Sequence, residues 1–455
     1  MKPSPLRYRV RCHVLVLVTL IYISSPRACG GQYFVSQDGS DANAGTSWRE
    51  AWRSPAHAAQ VAGQGDVVTL RKGATPYDGF EIQLSGAVGR PLVFRGENKD
   101  DPPVFSGASI EQRWIPSDHP GTWQISTSAK PLLMLEDGRP LTPATSLPTE
   151  PGTWHWRDGT LYYRPSHGTP DLHEVLRPSR GGGITINKKS WIIIENIRCH
   201  VGQGACVAIK EGSNNIVRNF SASWYWRGVT LTDGANENLI EDCKVSANHD
   251  GIYIKASSSR NIIRRCEVFD NGNAPTFSGG DRAGIAVGDR GPNSDNLVEF
   301  CELRGNGGPD SDPGLIAYDS PRTIFRGNHV HHNFGSGIFV TIRSNGSLVE
   351  DNIVEANGAR ARTDGYKNIA GLSIRRSRSV TARNNKVLDN HVSPDSRWPG
   401  KELGPRGGLE VRGLTTDDMR DIKLIDNVVR GTVGGPDFYV TPGPDLTGLT
   451  ITPSP

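Results

Sequence analysis

From residue 182 onward the chain repeatedly sets a small residue before an alternating apolar pair. Successive segments read GGITI (182–186), ACVAI (205–209), RGVTL (227–231), DGIYI (250–254), AGIAV (283–287), PGLIA (313–317), SGIFV (336–340), AGLSI (370–374) and GGLEV (407–411). Each is followed by a second apolar stretch, such as NLIEDC, NIIRRC, NLVEFC or SLVEDN. The spacing is 22 or 23 residues where the turns are short, and larger where they are not. A period in this range, carried by short alternating strands, predicts a solenoid in which stacked coils bury what no single repeat buries alone.

Aligning the second stretches brings Phe220, Cys243, Cys266, Cys301, Asn328, Asn352, Asn385 and Asn427 into one column. Stacked Asn amides bond from rung to rung, and Cys fills the same place as a small apolar group. Cys243, Cys266 and Cys301 are therefore expected to be core filler. Cys199 and Cys206 are the candidates for a local disulfide.

Residues 108–180 interrupt the repeat with hairpin-like pieces, D-G turns and clustered aromatics, and predict a small inserted β region. Trp154, Trp156, Tyr162 and Tyr163 either build its core or stack on a sugar, and the core reading is preferred. The organisation expected is a leader over 1–30, a cap and first coils over 31–107, the insert, coils over 181–440 and a loose Pro-rich tail over 441–455.

Lys2, Arg7, Arg9 and Arg11 precede an apolar run from Val14 to Ile23 and the small exit Ala28-Cys29-Gly30. This is the pattern of a cleaved export signal, with lipid anchoring on Cys29 the weaker alternative; the run is too short to span a bilayer. The expected location is secreted or periplasmic. The 455 residues carry 51 Lys+Arg against 48 Asp+Glu, a net charge of +3, which argues against a nucleic-acid partner. With 53 Gly and 31 Pro the chain is turn-rich, but it shows no collagen period.

The segments YFVSQDGSDANAGTS (33–47), GDVVTLRKGATPYDGFEI (65–82), SGAVGRPLVFRG (85–96) and VFSG (104–107) resemble the opening of bacterial secreted right-handed parallel β-helix proteins of the pectate-lyase-like superfamily. The resemblance implies an all-β, right-handed parallel β-helix capped by a helix around Trp48 to Val61. It also implies a polysaccharide bound along one outer groove, and is shared by lyases, glycosidases and epimerases.

Four long turns, between 267 and 283, 302 and 313, 353 and 370, and 386 and 407, should line one edge, where insertions build binding surfaces. Beside them lie Asp250, Asp281, Arg282 and Asp312. Outward strand positions carry Tyr253, Lys255, Tyr318, Arg375, Glu410 and Arg412. One rung between Asp250 and Asp281 gives ~5 Å and suits a retaining glycosidase; two rungs to Asp312 give ~10 Å, nearer the inverting spacing. The run NHDGI (248–252) resembles the Asn-x-Asp-Gly stretch of polygalacturonases, whose later Gly-His-Gly and Arg-x-Lys motifs this chain lacks. A lyase would instead use Lys255, Tyr318 or His249 as base or acid, with Lys255, Arg282, Arg343 or Arg375 against a uronate. Trp224 and Trp226 form a candidate sugar platform, with packing against the coil edge as the equal alternative. In the pair His331-His332 one ring is expected to be buried or capped, and metal binding is not expected. No cofactor is indicated beyond calcium through Asp310 and Asp312, a weak signal. The function expected is glycosidic-bond cleavage in a polysaccharide, the alternative a non-catalytic glycan-binding or surface protein; the oligomeric state is left open.

Overall fold

The computed structural model describes residues 30–272, 282–308, 312–359, 369–392, 407–413, 419–441, 446–447 and 450–453. The proposed leader, Asp281, Asp310 and parts of the four long turns lie outside them. Among the described residues, two long parallel sheets of 20 and 11 strands run along a coiled chain. The smaller sheet stacks one strand per coil, with Ile252, Ile285, Leu315, Ile338, Leu372 and Leu409 in register. The larger takes two strands per coil, because each predicted second strand is bent in its middle. Leu239–Glu241 and Lys244–Ser246 pair separately with Ile262–Arg264 and Glu267–Phe269 of the next coil. Each coil thus has three faces.

The bends share one local device. Asp242, Arg265, Phe300, Gly327, Asp351 and Asn384 all have φ between 50° and 61°. Each immediately precedes a member of the predicted column, and all of Cys243, Cys266, Cys301, Asn328, Asn352 and Asn385 are buried. A left-handed residue turns the chain, and the side chain after it points into the core. Asn328 Nδ2 donates to Asn352 Oδ1 at 3.0 Å, and Asn352 Nδ2 to Asn385 Oδ1 at 2.9 Å. Two further amide stacks mark the other corners. One runs through Asn215, Asn238, Asn261 and Asn296; the other runs through Asn248, Asn271, Asn306, Asn333, Asn357 and Asn390. Within them each Oδ1 after the first accepts two N–H groups of the coil before, while Asn215 and Asn248 accept one backbone N–H each, from Ile192 and Tyr225.

Inside, Ile, Val and Leu from all three faces form one continuous core that includes all five described cysteines. Cys199 and Cys206 are buried free thiols, so the disulfide is not formed. The N-terminal cap is two pieces, a turn of 3-10 helix at Trp48–Glu50 and a helix at Pro55–Val61. Ser54 caps the helix, accepting the His57 N–H at 3.1 Å, and Pro55 occupies the position where a missing N–H costs nothing. Antiparallel strands between Ala108–Ile110 and Val175–Pro178 form the insert, in sheets of four and five strands. Among the described residues of the tail, Thr450–Pro453 pairs in parallel with Lys423–Arg430.

Two substitutions test the corner device by urea denaturation. Asn333→Ala orphans partners on both neighbouring coils and lowers stability by about 2–3 kcal/mol. Phe300 is exposed and left-handed (57%, φ 53°), so Phe300→Asn raises stability by about 1 kcal/mol.

Candidate functional site

The two sheets have different outer faces. That of the larger sheet is laced with ion pairs, among them Arg264 and Arg265 with Glu241, and Arg326 and Arg383 with Glu350. The outward row of the smaller sheet reads Thr185, Ala208, Thr230, Tyr253, Ala286, Ile316, Phe339, Ser373 and Glu410, one residue per coil. From Tyr253 to Glu410 this row covers about 24 Å at ~4.8 Å per coil. Tyr253, Ala286, Ile316, Ser373 and Glu410 point away from the core yet are buried. A cleft of about 600 Å³ lined by Asp78, Arg180, Thr185 and Ala208 opens at the N-terminal end of the same face.

Asp250 is 1% exposed, and its carboxylate has three partners. Arg227 Nε donates to Oδ2 at 2.9 Å, and the Arg282 backbone N–H to Oδ1 at 2.9 Å. His249 Nδ1 stands 3.1 Å from Oδ1. The reading of Asp250 as half of an open carboxylate pair is thereby corrected. Its register argues the same way: Ile252, Ile285 and Leu315 are level. Asp250 is therefore level with Ala283, while Asp312 is level with Arg282 and His249. Asp250 and Asp312 thus occupy different positions of their coils, and the two-rung geometry drawn for them does not hold. Asp281 and Asp310 lie outside the described residues, so of the calcium pair only Asp312 is described.

His249 is buried and stacks on Trp226, with centroids 4.4 Å apart and planes at 10°. Trp224 and Trp226 both pack against Leu133, Leu135, Leu176 and Val201, so they help to seat the insert on the coils. Arg343 departs from the expected groove role: it sits at a corner, exposed and paired with Asp319 at 3.0 Å. His331 and His332 both escape burial in the core; His331 faces Glu302 at 3.2 Å, and His332 is exposed. In the insert Trp154 and Tyr163 are core, and Trp156 packs against them.

What the face does bring together is a set of cations, hydroxyls and rings. Tyr253 Oη and Tyr318 Oη lie 3.0 Å apart. The Arg227 guanidinium and the Lys255 ammonium stand 5.0 and 5.4 Å from the Tyr253 ring centre. Burial, followed by the charge of Arg227, holds Lys255 below the usual lysine range. Further along, Arg375 lies 5.2 Å from the Phe339 ring and donates to Glu410 Oε1 at 3.3 Å, which also accepts from Ser373 Oγ at 2.5 Å. Arg412 is buried beside Arg375 in register. Sequence reasoning missed Arg227, Phe339 and Ser373, although Arg227 opens the repeat directly before Asp250.

A family model described as "Periplasmic copper-binding protein (NosD)" matches residues 166–369, less than half of the chain. No curated protein matches the sequence. Among solved structures the chain is similar to "The complex structure of XylC with xylose", at 12% identity and TM-score 0.53, covering 85% of this chain and 76% of that one. It is also similar to a structure described as "Glycoside hydrolase", at 12% identity and TM-score 0.52, covering 92% and 96%. The chain is a right-handed parallel β-helix. No helix among its described residues is long and apolar enough to cross a membrane.

The family description raises copper. Among the described residues one group could gather ligands, Glu136, His167 and His173 in the insert. His173 spends both ring nitrogens, on Asp137 Oδ2 at 2.7 Å and on the His167 carbonyl at 2.8 Å. Glu136 accepts from the Tyr163 hydroxyl and the Ser166 N–H. Both His173 ring nitrogens are already engaged by oxygen atoms, so the group does not fit a ready copper site.

Breaking the Arg227–Asp250 pair by Arg227→Ala strands a buried carboxylate and costs about 3 kcal/mol, and adding Asp250→Asn recovers most of it; thermal melts of the two variants measure this. The insert carries a pH dependence. Burial lowers the His173 pKa, but its bonds to Asp137 and the His167 carbonyl outweigh this, and the net shift is upward. The His173 bond holds Asp137 below the carboxylate range. The His173 contribution is complete below the unfolded value of about 6.5 and is lost as pH rises through the folded pKa. That of Asp137 is complete above about 4 and is lost as pH falls through its folded pKa. Hydrogen exchange of the insert should therefore be slowest relative to the coils between these values, and His173→Gln should remove the dependence at the alkaline side.

Proposed function

We propose that the chain is an exported polysaccharide-active β-helix protein that cleaves an acidic glycan by β-elimination on the outer face of its smaller sheet. The observation that carries this reading is the lysine of lowered pKa beside a tyrosine hydroxyl pair. A neutral amine is a base, and a lysine below its usual range spends more time neutral. In the proposed step Lys255 takes the proton from the carbon next to the uronate carboxylate. The electron pair forms the ring double bond, the glycosidic C–O bond breaks, and the Tyr318 hydroxyl protonates the departing oxygen. Arg227, one coil away, meets the carboxylate charge that grows during the proton transfer, while Arg375, four coils or about 19 Å further along, meets a more distant uronate of the same polymer. No organic cofactor enters this step.

Hydrolysis by paired carboxylates is disfavoured by the three-way satisfaction of Asp250. A non-catalytic glycan binder is the second reading, and the ion pairing of Asp250 and Glu410 favours it.

Incubation with polygalacturonate, alginate and neutral polymers separates these readings when reducing ends and unsaturated-uronate absorbance are followed together. The expected result is both signals on an acidic polymer, with a rate that rises with pH through a value below the usual lysine range. Lys255→Ala should then lose at least 100-fold in rate while retaining glycan binding. Reducing ends without absorbance would return the hydrolase, and binding without either signal would establish the binder.

A further inference from the structure

The insert has a concave surface of its own, separate from the outer face of the smaller sheet. It encloses about 510 Å³, within the usual range for small-ligand sites, and its lining includes Trp114, Trp123, Leu172, Gln112, Asp171 and Glu174. Trp114 is fixed on two sides: its indole N–H donates to the Glu111 carbonyl at 3.1 Å, and its ring lies 5.0 Å from that of Tyr163 in the insert core. Trp123 is held in the strand Trp123–Ser126, paired across to Tyr163. Both indoles are half-buried. The pocket also holds large apolar side chains in water, with Ile110 54% and Leu172 64% exposed. Ile110 and Leu172 thus extend the apolar surface offered by the two fixed indoles.

The charge of the lining selects among ligands. It contains no Lys or Arg, and its one imidazole, His173, is closed on Asp137 and the His167 carbonyl. Glu111 is taken up by Arg177 at 2.6 Å. Asp171 and Glu174 are exposed at the rim, and the Thr169 hydroxyl keeps Asp171 ionised by holding its carboxyl below the usual range. Apolar planes with acceptors around them suit the C–H face and hydroxyl edge of a sugar, while two rim carboxylates repel a uronate.

We infer that this pocket is a binding subsite for an uncharged saccharide, with Trp114 and Trp123 as stacking walls and Asp171, Glu174 and Gln112 bonding to its hydroxyls. The site is independent of the acid-glycan reading of the coils. It gives the protein a second carbohydrate contact, for neutral instead of acidic sugars.

Calorimetric titration of the full chain with neutral disaccharides of glucose, xylose, galactose and mannose tests this, with digalacturonate and the chitosan dimer as charged controls. At least one neutral sugar should bind more than tenfold tighter than either charged one. Trp123→Ala should weaken that binding at least tenfold. Leu172→Asp, at an exposed position that leaves the fold intact, should do the same. Arg375→Ala, on the other face, should leave it unchanged. Absence of neutral-sugar binding, binding of the chitosan dimer alone, or unchanged affinity in Leu172→Asp would each overturn the inference. Loss of acid-glycan cleavage would not bear on it.

Discussion

From Asn196 to Asp426 the described coils share a two-residue event: one residue enters the left-handed region, and the next turns its side chain inward. Asp242 before Cys243 and Asp351 before Asn352 show it at one corner, and Asp270 before Asn271 and Asp389 before Asn390 at another. The left-handed step costs most residues about 1 kcal/mol, so the inward side chain must sustain it. Where an Asn follows an Asn in the stack, its buried amide oxygen accepts from both the backbone and the side chain of the preceding coil, as Asn271 does from Asn248 at 3.0 and 3.1 Å. Bend and stack are therefore one cooperative unit. Either alone would leave strain or an unsatisfied polar group.

The same event places the chemistry. Fixed corners keep successive strands of the smaller sheet in register, so that outward residues from distant parts of the chain fall in one row. Tyr253 and Tyr318 are brought within 3.0 Å across two coils in this way, and Ser373 meets Glu410 across one. The row is buried on its outward side, which lets burial depress the lysine beside it. The exterior of the larger sheet is laced with ion pairs, and the outer face of the smaller sheet gathers rings and hydroxyls beside ion pairs of its own.

Much of the coil was legible in the residues because alternation and period are local signals. The Cys/Asn column could be aligned from them, and the structure stacks it. The bend within each second strand was legible in principle, in the pairs Asp-Cys, Asp-Asn and Asn-Asn. Alternation alone runs straight through them, since the residues on either side remain apolar. The carboxylate geometry failed for a different reason. Counting coils assumes that a residue keeps its place in each coil, and the turns into the strands differ enough to put Asp312 level with His249 instead of Asp250. The insert was readable as hairpins; of its four expected core aromatics Trp154 and Tyr163 are buried in the core, Trp156 packs against it and Tyr162 is half-buried outside it. The Trp114–Trp123 pocket and the closed His173 arise from pairings across tens of residues, which no local pattern encodes.

The amide stacks also measure what the coil ignores. Asn248 and Asn271, 23 residues apart, meet at 3.1 Å, and Asn385 and Asn427, 42 residues apart, meet at 2.8 Å. Nearly twice the intervening chain leaves the joint unchanged. Closing a loop twice as long adds only about 0.6 kcal/mol. The corners therefore act as fixed sockets between which segments of any length can be exchanged. A lineage carrying this scaffold is free to remodel its recognition edge by insertion and deletion while the coil beneath is inherited intact.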